Sequence, residues 1–335
     1  MKKILFVFGI WLTLALTASA QFNAEPSKIS KRFFPESDLV INTPAFQKKK
    51  GFTKYKEMMP WLRKTLEGKE NIATLTFIGF SQKGKAIPMI TLGKNYTTNP
   101  VKVWLQGGLH GDEAAGTEAM LHLIDRFLNE PELTALLDKV QIAIVPMANP
   151  DGYDMHRRES ANGTDLNRDH TKLSAPESKA LKNAFSAFAP AVALDVHEYR
   201  PYRKDFSRFS ERGISSYYDI MFLYSGNLNV PQPLRDFTKT AFVDPTKQQL
   251  DEKQIRHHDY ITTQKYGGQV HFNQGSVHSR SSASAYALNN SISTLLEIRG
   301  VGIRKTNFKR RIESGYLVCL NYIRIAVARQ TELQA

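Results

Sequence analysis

The sequence predicts an α/β fold, a mixed and largely parallel twisted sheet with helices on both faces. Three observations predict it. Apolar runs of strand length alternate with stretches of helical periodicity, and four of those runs read as fully buried strands. No linker, repeat or low-complexity tract divides residues 50–330, so one large domain is expected. In such folds helices cover both faces of the sheet, and ligands bind beyond the carboxyl ends of the strands.

The elements follow in chain order. Lys2 and Lys3 precede an apolar run from Ile4 to Leu16, and Ala18-Ser19-Ala20 offers a small-residue cleavage site. Residues 1–20 therefore read as a secretory signal. The run is shorter than the ~20 residues that span a bilayer, so no membrane anchor is expected after cleavage, and the location expected is periplasmic or extracellular. Residues 21–50 read as an N-terminal extension, too short for a globular prosegment, and residues 51–330 as the single domain. Within it, 73–79 and 86–92 read as a hairpin around Ser81-Gln82-Lys83-Gly84-Lys85. Runs 101–105, 140–146, 191–196 and 292–298 read as buried strands, and 113–128, 176–188 and 307–328 as helices.

Lys and Arg number 45 against 32 Asp and Glu, a formal net charge of +13. That excess favours acidic partners, or simply a solvated surface. Basic and aromatic residues interleave at 199–213, a pattern that fits a nucleic-acid platform or a cleft wall; no nucleic-acid partner is expected. Cys319, the only cysteine, has no internal partner and reads as an apolar filler.

Three strand ends carry chemistry. The first leads to His110 and Glu113, the second to His197, and the last contains Glu297. Catalytic zinc takes three N/O ligands and keeps a place for water. His110 and Glu113, three apart at a helix start, can reach one ion, and His197 stands where a neighbouring strand supplies the third ligand. Alone, the pair is weak, since most such pairs are solvated at a helix start. The stretch 147–169 adds weight: a turn-rich loop leaving a strand, carrying Arg157, Arg158, Asn167 and Arg168, groups suited to a carboxylate.

These stretches, "HGDE", "NPDGY", "RESANGTDLNRD", "DVHE" and "EIRG", resemble the zinc metallocarboxypeptidases typified by carboxypeptidase A. The resemblance runs from about residue 50 to 330 and implies a zinc-peptidase-like three-layer fold with a single catalytic metallocarboxypeptidase domain at 51–330. It implies one Zn²⁺ per chain on His110, Glu113 and His197, with Asp165 holding His110 in its tautomer. Asn167 and Arg168 would grip a free terminal carboxylate, Arg158 would stabilise the oxyanion, and Glu297 would be the general base to a metal-activated water. The implied activity is hydrolysis of the C-terminal bond of a peptide with a free carboxylate. Wall peptides or N-acyl amino acids are alternative substrates. A non-catalytic basic binding module is the reading from another class, and the intact Glu297 argues against it.

Departures from the family are instructive. Asp169 stands where a second asparagine is common, and reads as a helix cap or as a change in cleft charge. Tyr286 is the first candidate for a tyrosine that covers bound substrate, Tyr266 the second. Glu198 is expected to point away from the metal, because neighbours on a strand alternate faces. His257-His258, His271 and His278 read as surface or loop histidines. Residues 304–312, "RKTNFKRRI", read as the exposed basic face opening the last helix.

Overall fold

A computed structural model describes residues 25, 27–93, 99–203, 206, 209, 214–275 and 277–334. The expected signal at 1–20 lies outside them. Among the described residues no helix is long and apolar enough to cross a membrane.

The expected hairpin is β1 (Ala73–Phe80) with β2 (Ala86–Leu92). The expected buried strands are β3 (Val101–Gly107), β4 (Val140–Val145) and β5 (Val192–Tyr199). The sequence passed over β6 (Ile220–Tyr224) and β7 (His257–Asp259), and a separate hairpin of β8 (Thr262–Tyr266) and β9 (Gln269–Asn273). The last strand is β10 (Ile292–Arg299). Eight of these form one sheet in the order β1-β2-β4-β3-β5-β10-β6-β7. β4, β3, β5 and β10 run parallel at its centre, flanked by antiparallel pairings at β2 and β6. The predicted mixed, largely parallel sheet is therefore observed.

Five helices matter for the site: α1 (Tyr55–Leu66), α2 (Ala114–Asn129), α3 (Pro176–Phe188), α4 (Ser282–Ala287) and α5 (Phe308–Ala328). Strand alternation sorts side chains to the two faces. Val103, Leu105, Ile142, Ile144 and Leu194 join the core under α2 and α5. Trp104, Ala143 and Ala193 join the core under α3. Trp104 meets Phe185 of α3 edge-on with centroids 5.5 Å apart, a geometry worth ~0.5–1.5 kcal/mol beyond area burial. Helices thus seal both faces, which is why these strands read as continuous apolar runs. Cys319 is buried in this core, as expected of a filler.

Two anchors near the ends of the chain are notable. The Glu25 carboxylate pairs with Arg299 on β10 and accepts bonds from Ser30 (2.6 Å) and Ser215 (2.6 Å). At the other end, Gln330 and Gln334 donate to the carbonyl of Asn99 (2.8 and 2.6 Å), just ahead of β3.

Candidate metal centre

β3, β5 and β10 are parallel neighbours, so their carboxyl ends meet at one edge of the sheet. Beyond β3 the chain turns at Gly107-Gly108, and Gly111 lets the loop pass close to the next one: a Cβ there would fall 2.0 Å from the Gly152 carbonyl carbon. Asn149 shapes that second loop, accepting from Gly152 N–H (2.9 Å) and donating to the Leu109 carbonyl (3.3 Å). The "NPDG" stretch is thus architecture that seats the "HGDE" turn.

At that edge His110, Glu113 and His197 converge, all buried, and their ligand atoms lie within 4.8 Å of one another. Nδ1 of His110 is 2.8 Å from Glu113 Oε1 and 2.9 Å from Nδ1 of His197, which is 2.8 Å from Glu113 Oε2. The outer ring nitrogens explain the convergence. His110 Nε2–H donates to Asp165 Oδ1 (3.1 Å) and His197 Nε2–H to Asp195 Oδ2 (2.7 Å). With Nε2 protonated, both Nδ1 lone pairs face one point, as metal ligation requires. Burial works against the Glu113 charge, yet the two imidazoles hold its carboxyl well below the usual range. Burial likewise disfavours a charged His197, but Asp195 and Glu113 raise its pKa well above the ordinary value. Two nitrogens and a carboxylate, backed by two further carboxylates, fit a zinc dication.

Asp165 does more than hold His110. Its Oδ2 accepts from Arg158 Nε (3.1 Å) and its Oδ1 also accepts from Asn167 N–H (2.9 Å). Arg158 Nη1 reaches within 3.5 Å of Glu113 Oε1. Asn167 spends its side-chain oxygen on Ser282 N–H (2.8 Å), which leaves its amide nitrogen as the donor on offer. Glu297 sits in register with His197 on the adjacent parallel strand, so both side chains leave the sheet on the same side. Burial pushes its carboxyl up to about 7, with the Glu113 charge adding to the rise.

His110, Glu113, Arg158, Asn167, Arg168 and Glu297 line one cleft of about 920 Å³. Tyr199, Arg200, Tyr202 and Arg203 line it too, so part of the basic-aromatic stretch forms the cleft wall. Arg203 is fixed there, donating to the Ile261 carbonyl (2.7 Å) with its guanidinium over Phe206 and Tyr260.

Several expectations need correction. Tyr286 is a core residue, stacked on Phe185 with centroids 4.2 Å apart and donating to Gln106 Oε1 (2.9 Å), and it does not line the cleft. Tyr266 is exposed near the β8–β9 turn and is also absent from the lining; among the described residues the tyrosines that line the cleft are Tyr199, Tyr202 and Tyr260. Residues 304–312 are not simply an exposed basic face, since Arg311 is buried against Glu198 and Arg310 pairs with Asp219. Asp169 is not the N-cap of α3, which is Ala175; it braces the chain just ahead of that helix, accepting from Ser174 N–H (3.0 Å) and Ala175 N–H (2.9 Å). Asp195 was missed. The signal was present in "LDVH", because residues two apart on a strand share a face.

Sheet and donor set together define the class, an α/β domain with a metal-binding constellation at the carboxyl ends of its central strands. Comparison with known proteins narrows it. Residues 58–219 match the family model described as zinc carboxypeptidase. A probable carboxypeptidase 2 of Trichophyton verrucosum is 30% identical over 255 residues, covering 74% of this chain and 49% of that protein. Carboxypeptidase M of Mus musculus is 32% identical over 127 residues, covering 33% and 29%. The chain spans about half the length of the fungal relatives it matches. Among solved structures, carboxypeptidase A of Helicoverpa armigera aligns with TM-score 0.65 at 17% identity, covering 91% of this chain and 81% of that one. A metallo-carboxypeptidase of Burkholderia cenocepacia gives 0.62 at 18%, covering 84% and 71%. Those likenesses speak to the fold. The chain belongs to the zinc carboxypeptidase family.

Proposed function

We propose that this chain is an exported zinc-dependent carboxypeptidase that releases the C-terminal residue of peptides with a free carboxylate. The observation that carries the reading is the register of Glu297 with His197, which sets a carboxylate beside the converging donors and in the same cleft as Arg158, Asn167 and Arg168. Export rests on the leader-like residues 1–20.

His110, Glu113 and His197 would hold one zinc ion, whose Lewis acidity brings the pKa of a water toward ~7. The rest is the work of the chain. Asn167 and Arg168 receive the terminal carboxylate, the guanidinium through a two-pronged contact. Glu297, with a carboxyl near neutrality, takes a proton from the attacking water and returns it to the leaving amine. Arg158 donates to the oxygen on which negative charge develops, a contribution typically worth ~3 kcal/mol or more of barrier. Asp165 keeps that arginine and His110 in a common frame through its two oxygens.

The test is turnover of blocked dipeptides with free carboxyl ends, their amides, wall muropeptides and an N-acyl amino acid, each with and without a zinc chelator. Chelator-sensitive release from the free-carboxyl peptides alone is expected. Equal cleavage of the amides removes the clamp. No chelator-sensitive turnover on any substrate leaves the binding-module reading in its place.

A further inference from the structure

One buried ion pair lies where the strand bearing His197, the helix start after Glu113 and the chain leaving β10 meet. Glu198 follows His197 on β5 and borders the cleft, but strand alternation turns its side chain to the face opposite His197. Its Oε1 accepts from Arg311 Nε (2.9 Å) and Nη2 (2.5 Å), and its Oε2 accepts from Ala115 N–H (2.9 Å) in the first turn of α2. Its own N–H donates to Oε2 of the ligand Glu113 (3.0 Å). Both side chains are buried, Glu198 2% and Arg311 4% exposed. Arg311 in turn grips the connection from β10 to α5, donating through Nη1 to the Arg304 and Thr306 carbonyls, with its guanidinium over the Phe308 ring. The chain closes over the pair at Gly300, the residue after β10, where a Cβ would fall 1.6 Å from Glu198 Oε1 and 2.7 Å from Arg311 Nη2.

The strand bearing His197 and the helix start bearing Glu113 are therefore bonded to one anchor, and the residue that follows the strand bearing Glu297 packs against it. Stability alone does not account for it. A buried ion pair is often no better than well-packed apolar residues of the same volume, because desolvation offsets the attraction. What the pair supplies that apolar residues do not is direction, through charge-assisted bonds of fixed geometry to three separate elements.

We infer that Glu198 and Arg311 are positioning residues of the metal centre, setting the distance between the Glu113 carboxylate, the His197 imidazole and the end of β10. The inference rests on the reading that His110, Glu113 and His197 hold zinc.

The decisive experiment uses the full chain and the double variant E198M/R311M, which replaces the pair with apolar side chains of similar size. Four quantities are measured: thermal unfolding, zinc affinity by competition with a chromophoric chelator, the visible spectrum of the cobalt-substituted protein, and kcat and KM. The variant is expected to fold, to bind zinc about 10- to 100-fold more weakly, to show an altered cobalt spectrum, and to lose kcat with little change in KM. R311K keeps the charge but not the two-pronged contact, and G300A adds one methyl group against the pair; both are expected to move zinc affinity and the spectrum in the same direction, by less. Wild-type zinc affinity together with a wild-type cobalt spectrum in the folded double variant overturns the inference. If that variant does not fold, the same result in folded R311K and G300A overturns it. Failure of the unaltered chain to take up zinc overturns the metal-centre reading and this inference with it.

Discussion

Asp195 accepts a 2.7 Å hydrogen bond from His197, two residues along the same strand and on the same face. The carboxylate fixes which ring nitrogen carries the proton and turns the other toward Glu113 and His110. Asp195→Ala is expected to weaken zinc binding ~10- to 100-fold while the chain stays folded. Competition with a chromophoric chelator reads this directly, and an unchanged affinity removes the tautomer-fixing role.

Glu297 meets the cleft with its carboxyl near neutrality and does not belong to the donor set. Glu297→Gln preserves the shape and removes the proton acceptor. Zinc content measured by elemental analysis should match the unaltered chain, while kcat falls by at least ~100-fold. Normal turnover in this variant would reassign the base.

Arg168 lines the same cleft beside Asn167 and is not among the three donor residues, so its loss should fall on substrate binding. Arg168→Ala should raise KM for free-carboxyl peptides by ~10-fold or more and leave their amides nearly unaffected. Steady-state kinetics on matched pairs is the readout; a parallel loss on both forms contradicts the clamp.

The space between clamp and base has an apolar floor. Asn167 is tied to Ser282, and the next residue, Ala283, packs with Leu223 and Leu295 in one small buried cluster against Tyr260. Leu295 lies two residues before Glu297 and in register with Leu223, while Arg200, Arg203 and Arg280 also line the cleft. Peptides ending in Leu or Phe should therefore exceed those ending in Lys or Arg by at least ~10-fold in kcat/KM. A competition series read by mass spectrometry decides, and preferential release of a basic residue would refute the assignment.

His122 of α2 is fully buried, and neither ring nitrogen has a partner among the described residues. Burial pulls its pKa down to about 4, with Arg126 adding to the drop. Unfolding frees it to bind a proton near pH 6.5, so its contribution is intact above that pH. It is lost as pH falls from about 6.5 toward 4, by up to ~3 kcal/mol. His122→Leu should flatten that part of the stability profile in denaturant melts. An identical acid slope in the variant would exclude His122 as its source.

Much of this molecule is legible without coordinates, for physical reasons that differ by element. Strands β3, β5 and β10 are sealed on both faces, so their sequences show continuous apolar runs that stop where the chemistry starts. β8 and β9 are mostly exposed and carry Thr, Gln, Lys and His, leaving no run to detect. Tyr286 misleads because its helix, Ser-Ala-Ser-Ala-Tyr-Ala, has no periodicity, and its burial is decided by Phe185 and Gln106 far away in sequence. Arg311 misleads for the same reason. In a run of basic residues a solvated face is the local reading, and only Glu198, 113 positions earlier, makes it a core residue.

The two ends of the described chain are not equivalent places to attach anything. Glu25 is fastened to Arg299, two residues beyond the carboxylate that Glu297 offers the cleft, so a leader or purification handle joined just ahead of it would tug on the strand that bears Glu297. Gln330 and Gln334 are fastened instead at Asn99, where β3 enters the sheet, with the length of that strand between them and the His110 turn. Fusion or immobilisation through the last residues should leave the cleft undisturbed, whereas an extension ahead of Glu25 would be felt at the opposite rim.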